Sequence, residues 1–475
     1  MNYRVVVGLE MHCEMKSISK VFSPASNTYN KVANANVVEI DLGLPGILPN
    51  VNKECVRKAL MASLILNCEQ PKYLLFDRKN YYYPDLPKGY QITQATAPIG
   101  VKGHIDIECN GKIVPVTIQD IHLEEDAAAL DHLYDTSLID YNRAGVPLLE
   151  CVTDPCLHSA DEAVAFLETM CRIYQYTDIS EADTRKGQIR CDVNVSLQDE
   201  NGNFITQKVE VKNVNSLGNV RDAILYEEKR QWRLYSEGKT DELIQETRRF
   251  DEESGTTIHM RSKVDAVDYK YFVDPNLPPF KLDDDYVEEI RASIPMLADE
   301  RKKMYIEKYS LDEYDANIIV KDKKNADYFE GCINLGIDPK TAANWLNGLI
   351  IAYINKEEIS LDEFYIKPEY LKQIIDKQLD NTISSKQAKE VFYKSLEEQK
   401  EPKSFISNEN SQITDEKAIE EIVDKIIAAN PNQVAAYQSG KTNMFDYFVG
   451  QVMKETRGKA SPIITKDLLH KKIDK

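Results

Sequence analysis

The chain has 475 residues, of which 42% are hydrophobic and 29% are charged, a composition that is typical of globular proteins and excludes a fibrous or disordered class. The formal net charge of −19 argues against a general nucleic-acid-binding protein, because a negative potential over the whole surface repels phosphate. The length exceeds what one hydrophobic core usually supports, so it predicts at least two domains.

Membrane insertion and disulfide bonding are not indicated. No apolar run approaches the length of about 18 residues that spans a bilayer, and the N-terminal sequence lacks the apolar core of a signal peptide. The nine cysteines include no C-x-x-C pair, so buried thiols are predicted rather than a disulfide framework or a zinc site. We therefore expect a cytoplasmic protein.

The first predicted element is a strand in "VVVGLEMHCEM", residues 5–15. Successive strand side chains point to opposite faces, so the hydrophobic residues share one face while Glu10, His12 and Glu14 share the other. An isolated Glu-x-His-x-Glu is more often the solvated face of an edge strand. The motif alone does not decide between a functional site and such a face.

Further acidic and imidazole side chains follow later strand-like segments. They are His122, Glu124, Glu125 and Asp126 after "KIVPVTIQD", Glu150 at the end of "NRAGVPLLE", and Asp192 and Asn194 in "RCDVNVS". Several carboxylates in one region repel each other unless a cation lies among them. Oxygen-rich ligand sets suit Mg²⁺, with waters and nucleotide phosphates completing the shell.

Other signals outline the first part of the chain. "DENGNF" predicts the turn of a β-hairpin over 188–213, and Ser159 followed by Glu162 predicts a capping box that opens an amphipathic helix. Up to Pro295 the chain mixes β-rich runs with helices, which is typical of an α/β or α+β domain.

From about residue 297 the pattern is almost wholly helical, with apolar stripes along each segment. "EQKEPKSFISNENSQ" has the composition of a linker, and a last helical unit begins at "TDEKAIEEIVDKIIAAN". We predict three parts with the bounds 1–294, 295–405 and 406–475.

Two short motifs imitate other enzymes. "SGKT" at 439–442 ends like a P-loop, but the first glycine of that motif would fall on Ala435, so a helix-terminating turn is predicted. "SSK" at 384–386 is similar to the serine and lysine set of amidases, yet it opens a helix, so Ser384 or Ser385 is predicted to be a cap. No glutaminase is expected in this chain.

A series of longer motifs resembles one family. They are "VGLEMHCEMKSISKVFSP", "DLGLPGILPNVNK", "FDRKNYYYPDLPKGYQITQ", "IHLEEDA", "NRAGVPLLE", "RCDVNVS", "EVKNVNS", "QETRRFDEESGTT" and "GQVMKETRGKASP". In this order they resemble the B subunits of the aspartyl/glutamyl-tRNA amidotransferases over nearly the whole chain. The resemblance implies an α+β fold. Its parts would be a cradle domain similar to glutamine synthetase and guanidino kinases, an all-α helical domain, and a small helical tail related to the YqeY family.

The resemblance also implies a reaction. The side-chain carboxylate of Glu-tRNA(Gln) or Asp-tRNA(Asn) would be phosphorylated with ATP, and ammonia from a partner glutaminase A subunit would displace the phosphate in a heterotrimer that includes a small C subunit. The enzyme would be a carbon–nitrogen ligase of protein biosynthesis, with Mg²⁺ as cofactor and Mn²⁺ as the better match for an imidazole ligand. Two alternatives are a small-molecule ligase of the glutamine synthetase type and a non-catalytic tRNA-binding scaffold. The choice between the two tRNA substrates stays open.

The resemblance assigns residues to this chemistry. His12, Glu125 and Glu150 would hold one metal, with Glu124 as a neighbouring candidate, and Glu10 and Asp192 would hold the metal that arrives with ATP. Glu10, Glu125 and Asp192 are the expected catalytic residues. Glu124 and Glu125 point opposite ways on a strand, and which of them faces the metal stays open.

Basic residues are candidates for nucleic-acid contacts. Candidates near phosphate or the acceptor stem are Arg78, Lys79, Lys212, Arg248 and Arg249, for which paired surface cations are the alternative. Candidate tRNA contacts of the tail are Lys454, Arg457, Lys459, Lys471 and Lys472, which would contact phosphates. Where an acidic pair is expected, the chain has Thr184, Arg185 and Lys186, and no role is carried onto these positions.

Overall fold

The computed structural model describes residues 2–262, 268–406, 416–456 and 460–474. The chain forms two compact units, Met1–Ala298 and Asp299–Lys475. The predicted division at 405/406 adjoins residues 407–415, which lie outside the described residues, so the three-part division stays a prediction.

The first unit contains the strands and four helices of the described chain. The strands are β1 (Tyr3–Glu14), β2 (Tyr73–Leu74), β3 (Asp77–Asn80), β4 (Tyr90–Thr93), β5 (Gly100–Cys109), β6 (Lys112–Glu125), β7 (Ala129–Leu133), β8 (Thr136–Asp140), β9 (Pro147–Thr153), β10 (Ile189–Asp199), β11 (Val209–Val214), β12 (Glu246–Asp251), β13 (Thr256–Ser262), β14 (Phe272–Val273) and β15 (Phe280–Lys281). The helices are α1 (Lys53–Ile65), α2 (Ala160–Tyr176), α3 (Leu217–Ser236) and α4 (Asp284–Ala292).

Within the described residues, eight of these strands form one sheet in the order β13-β12-β11-β10-β1-β9-β6-β5. Neighbouring strands are antiparallel except for the parallel pair β11 and β12. The smaller sheets are β14-β3-β4, β15-β2 and β7-β8. β1 thus lies inside the large sheet and is not an edge strand.

The large sheet has one apolar and one polar face. Val7, Leu9 and Met11 are fully buried in the core, where α1 packs on β5 and β6, α2 on β1 and β5, and α3 on β10 and β11. Because strand side chains alternate, the even-numbered residues of β1 all face away from this core. The helices leave that second face available for a site.

The local predictions of this unit are confirmed except for one half of the capping box. β10 and β11 pair as the expected hairpin. The Ser159 side chain accepts a hydrogen bond from the Glu162 backbone N–H at the start of α2, but the Glu162 carboxylate accepts from the His158 backbone N–H instead of completing the box at Ser159. The nine cysteines are free, and most are buried. The α+β fold class is confirmed as well.

The described part of the second unit is helical. Its helices are α5 (Ala298–Tyr309, which starts at the boundary), α6 (Glu313–Val320), α7 (Lys323–Asn334), α8 (Pro339–Asn344), α9 (Ile351–Glu357), α10 (Pro368–Leu379), α11 (Ser385–Glu398), α12 (Glu416–Ala429), α13 (Pro431–Gln438), α14 (Met444–Glu455) and α15 (Pro462–Ile473). A core that includes Ile419, Phe448 and Leu469 joins the last four helices.

The two motifs that are similar to a P-loop and to an amidase both lie at helix ends. Ser384 forms a capping box at the start of α11, and α13 ends just before Ser439, with Gly440 at a φ of +104° that favours glycine. Among the described residues, no helix has both the length and the apolar character needed to cross a membrane.

Candidate metal centre

A row of polar side chains crosses the polar face of the large sheet. The strand register sets His122 of β6 opposite Glu150 of β9, and Glu150 opposite His12 of β1. On the other side of β1, Glu10 lies opposite Asp192 of β10. Directly opposed side chains of neighbouring strands lie close together, so the register concentrates imidazoles and carboxylates around β1.

The first group of possible metal ligands consists of His12, Glu124 and Glu150, each of which offers one ligand atom within 4.8 Å of the others. The His12 Nε2 atom lies 3.3 Å from Glu150 Oε2 and 3.7 Å from Glu124 Oε1. Only 5% of the Glu124 side chain and 15% of that of Glu150 are exposed. Burial disfavours two charged carboxylates at this place, and a cation nearby would stabilise them.

The protonation of the first group follows from this packing. Burial lowers the pKa of His12, but the hydrogen bond and charge of Glu150 outweigh burial and raise it. Burial and the charge of Glu150 raise the pKa of Glu124. Burial also acts to raise the pKa of Glu150, yet the two neighbouring histidines hold it well below its usual range. Glu150 is therefore the carboxylate of this group that most readily carries a negative charge.

His122 supports the first group from one side. Its Nε2 atom lies 3.1 Å from Glu150 Oε2, and its Nδ1 atom lies 2.8 Å from Asp120 Oδ1. Burial lowers the pKa of His122, but the charge of Glu150 and the hydrogen bonds to both carboxylates raise it well above the usual value. A residue that fixes a possible ligand in this way would orient it for a metal.

The second group of possible ligands consists of Glu10, Asp192 and Glu210, with ligand atoms again within 4.8 Å of one another. Glu10 accepts a hydrogen bond of 2.8 Å from Asn194 Nδ2, and its pKa is raised, chiefly by burial. Glu210 is not among the residues predicted from the sequence. The alternation in "KVEVKNV", which places Glu210 on the same strand face as Lys212, could have identified it.

Lys212 neutralises the second group. Its Nζ atom hydrogen-bonds Asp192 and lies 2.9 Å from Glu210 Oε1. Burial lowers the pKa of Lys212, but the Asp192 and Glu210 charges outweigh burial and raise it. Three carboxylates form an all-oxygen set that suits Mg²⁺, whereas the imidazole of the first group also suits Mn²⁺. Both donor sets fit a divalent cation.

Glu125 belongs to neither group. Its carboxylate lies 2.6 Å from Lys88 Nζ and accepts a hydrogen bond of 2.9 Å from the Ile92 backbone N–H. The structure therefore brings Glu124, and not Glu125, to His12. The ligand sets that we propose below contain Glu124 in place of Glu125.

The basic candidates of the first unit have protein partners. Arg78 Nε lies 2.8 Å from Asp274 Oδ2. Arg248, with 14% of its side chain exposed, lies 3.1 Å from Glu246 and 3.4 Å from Glu227. These contacts favour the alternative of paired cations for Arg78 and Arg248.

Among the other basic candidates, Arg249 is more accessible than Arg78 and Arg248. Arg249 Nη1 lies 3.5 Å from Asp251 and has 43% of its side chain exposed. Lys79 Nζ lies 5.0 Å above the Tyr269 ring. The short helical turn Thr184–Lys186 is capped by the Asp183 side chain.

The tail candidates are only partly described. Lys454 lies in the last turn of α14. Lys471 lies 3.4 Å from Glu416, and Lys472 lies 2.7 Å from Asp424. Arg457 and Lys459 lie outside the described residues.

Comparisons with known proteins agree with the motifs. A family model described as "GatB/GatE catalytic domain" matches residues 5–288, and one described as "GatB domain" matches residues 327–473. The B subunit of the aspartyl/glutamyl-tRNA(Asn/Gln) amidotransferase of Geobacillus thermodenitrificans is 43% identical over 100% of both chains, and its counterpart in Geobacillus kaustophilus is 44% identical over 100% of both. The protein of the same name from Ligilactobacillus salivarius is 42% identical over 99% of this chain and 98% of its own. The chain therefore belongs to the family of the aspartyl/glutamyl-tRNA(Asn/Gln) amidotransferase B subunits.

Proposed function

We propose that this chain catalyses the ATP-dependent amidation of Glu-tRNA(Gln), Asp-tRNA(Asn) or both, in a complex with a glutaminase A subunit and a small C subunit. Membership of the family supports the amidation of misacylated tRNA. The observation that carries the proposal is the pair of metal-ligand groups on one sheet face, both of which use β1.

The chemistry explains why two such groups are useful. A carboxylate is a poor electrophile, and ammonia cannot displace its oxygen until that oxygen becomes a phosphate leaving group. Transfer of a phosphoryl group to a carboxylate brings two anions together, so it depends on positive charge and alignment. Bound Mg²⁺ would supply that charge, as would Mn²⁺ at the imidazole-containing group.

We assign a role to each group. His12, Glu124 and Glu150 would hold one metal next to the acceptor carboxylate. Glu10, Asp192 and Glu210 would hold the metal that accompanies the phosphates of ATP.

Lys212 has a separate role in this proposal. It neutralises Asp192 and Glu210 before the cation binds. If those carboxylates ligated the cation, the Lys212 ammonium group would be released from them and would be available to bind phosphate oxygens.

The test is ADP release by the complete complex, with ammonium chloride in place of glutamine. We would compare Glu-tRNA(Gln), uncharged tRNA and free glutamate as acceptors, using wild type and Glu124→Gln. We expect ADP only with charged tRNA, and a loss of about 100-fold in the variant, which corresponds to about 2.7 kcal/mol of barrier.

The matched control is Glu69→Gln, because the Glu69 carboxylate is 66% exposed and pairs with Lys102 away from both groups. It should leave the rate unchanged. Normal turnover by Glu124→Gln would refute the proposed site. ADP release with free glutamate would indicate a ligase of the glutamine synthetase type instead.

A further inference from the structure

A cluster of aromatic side chains lies at the end of the β3 hairpin. We call Tyr81, Tyr269 and Tyr271 the tyrosine rim. The ring centroids of Tyr81 and Tyr269 are 5.8 Å apart, those of Tyr269 and Tyr271 are 6.1 Å apart, and both pairs meet edge to face. Tyr271 is 47% exposed, so the rim presents an aromatic surface to solvent.

Backbone hydrogen bonds hold the tyrosine rim in place. The backbone N–H of Asn80 donates to the Tyr269 carbonyl at 2.9 Å, and the Asn80 side-chain amide donates to the Lys270 carbonyl at 2.8 Å. The chain segment that carries two of the three rings is therefore fixed to the end of β3. A preformed aromatic surface loses little entropy when a flat ligand binds to it.

The tyrosine rim lies on the side of the first metal-ligand group. Lys79 of β3 pairs with Gln91 of β4, and Gln91 Nε2 donates a hydrogen bond of 2.7 Å to the Glu125 carbonyl at the end of β6. Glu124 is the neighbouring residue of that strand. The pairing of β3 with β4 and the hydrogen bond from Gln91 thus connect the strand that leads to the rim with Glu124, a possible ligand of the first group.

Electrostatics agree with this placement. Burial raises the pKa of the Tyr271 phenol, the charge of Lys79 opposes burial, and the charges of Glu124 and Glu150 add to it. The Lys79 charge also acts on Glu124. The rim, the lysine and the first group therefore lie within electrostatic range of one another.

The order of the strands indicates which substrate, the tRNA or ATP, lies nearer to the rim. The first group lies on β1, β9 and β6, while the second group lies on β1, β10 and β11. The proposed site of the ATP phosphates is the second group, across β1 from the rim. A base at the rim is therefore nearer to the group at which the proposed function puts the acceptor carboxylate.

We propose that the tyrosine rim stacks the terminal nucleobase of the unpaired tRNA 3′ end and that Lys79 neutralises the adjacent phosphate. This inference rests on the proposed function. Unpaired bases are recognised by stacking on aromatic side chains, and any base can stack because each has a π-face. The rim would hold the aminoacyl ester beside the first group without reading the rest of the sequence.

The test is direct binding of uncharged tRNA(Gln) to the complete complex, so that no chemical step is involved. Full-length tRNA is compared with tRNA that lacks its last nucleotide. In the wild type we expect the Kd to rise about tenfold when that nucleotide is removed. Tyr271→Leu should bind both tRNAs with the weaker Kd, and Tyr271→Phe should behave as the wild type because it keeps the ring.

Two further variants sharpen the test. Tyr73→Leu is the matched control, since Tyr73 is 45% exposed on another small sheet, and it should change neither Kd. Lys79→Met should reduce the slope of log Kd against log salt concentration by about one, which a merely structural role would not do.

Specific outcomes would overturn the inference. If Tyr271→Leu, with an unchanged melting temperature, discriminates the two tRNAs as the wild type does, the rim does not stack the terminal base. If it weakens ATP binding instead, the adenine of the nucleotide lies there. Should the complex bind tRNA as expected but release no ADP, the proposed function fails while the binding inference stands.

Discussion

Glu124 and Glu125 are adjacent in sequence, but replacing each by glutamine should affect different properties. Glu124→Gln should weaken metal binding, and Glu125→Gln should lower the stability of the fold. Glu124 lies 3.7 Å from His12 in the first group, whereas Glu125 pairs with Lys88. Glu124→Gln removes one anionic ligand and keeps the shape of the side chain. Glu125→Gln removes the partner of a cation of which only 12% of the side chain is exposed.

The magnitudes follow from these contacts. A carboxylate about 4 Å from a unit charge is worth about 4 kcal/mol at an effective dielectric constant of about 20. Part of that is recovered by the amide oxygen, so we expect Glu124→Gln to weaken Mn²⁺ binding about 100-fold, or about 2.7 kcal/mol. Breaking a buried ion pair costs about 3 kcal/mol, so Glu125→Gln should lower the free energy of unfolding by about that amount.

The assay measures both quantities for both variants. Mn²⁺ binding is followed by titration calorimetry, and metal-free stability by urea unfolding. Without metal, Glu124→Gln should be no less stable than wild type, because burial disfavours the charge on Glu124 and raises its pKa. If Glu125→Gln loses Mn²⁺ affinity while Glu124→Gln keeps it, the assignment of the facing carboxylate is refuted.

Three further predictions concern the neighbours of the site. The pKa of His12 is raised above 6.5, and only the neutral imidazole can bind a metal. Mn²⁺ affinity should therefore fall as the pH is lowered through that raised pKa, and calorimetry in two buffers should show proton release on binding. An Mn²⁺ affinity that does not change from pH 6 to 8 would exclude His12 as a ligand. His122→Asn should weaken Mn²⁺ binding about 10- to 100-fold, whereas His158→Asn, whose ring contacts the Val5 carbonyl instead, should leave it unchanged. Arg248→Met should lower the free energy of unfolding by about 3 kcal/mol and leave tRNA affinity unchanged in filter binding. Unchanged stability with weaker tRNA binding would instead indicate that Arg248 contacts phosphate.

The polar face of β1 could be predicted from the sequence because it depends only on alternation. Glu10 and His12 point away from Leu9 and Met11 on any strand that is buried on one face. The facing carboxylate of β6 could not be predicted in this way. Alternation sets Glu124 on the face of His122 only if the strand continues through both glutamates, and the acidic run "LEED" is equally typical of a turn. In the structure β6 continues to Glu125.

The ion-pair partners of the basic residues could not be predicted from the sequence for a different reason. The partner of Arg78 is Asp274, which lies 196 residues away along the chain, and Arg248 contacts Glu227 through the packing of α3 against β13 and its neighbours. A basic residue beside an aromatic or acidic motif is therefore an ambiguous signal, since its partner depends on the tertiary fold. Motif resemblance supplied the family but not these pairings.

The two metal-ligand groups are neutralised by different kinds of cation, and this difference has a functional consequence. In the first group, His12 and His122 lie against Glu150, and His12 would itself become a ligand once it loses its proton. In the second group, Lys212 pairs with Asp192 and Glu210, and an ammonium group cannot ligate a metal at neutral pH. A cation that bound at the second group would displace Lys212 from these carboxylates, and a phosphate would stabilise the displaced charge. We therefore expect cation binding at the second group to be coupled to nucleotide binding, whereas the first group would hold its cation without a nucleotide.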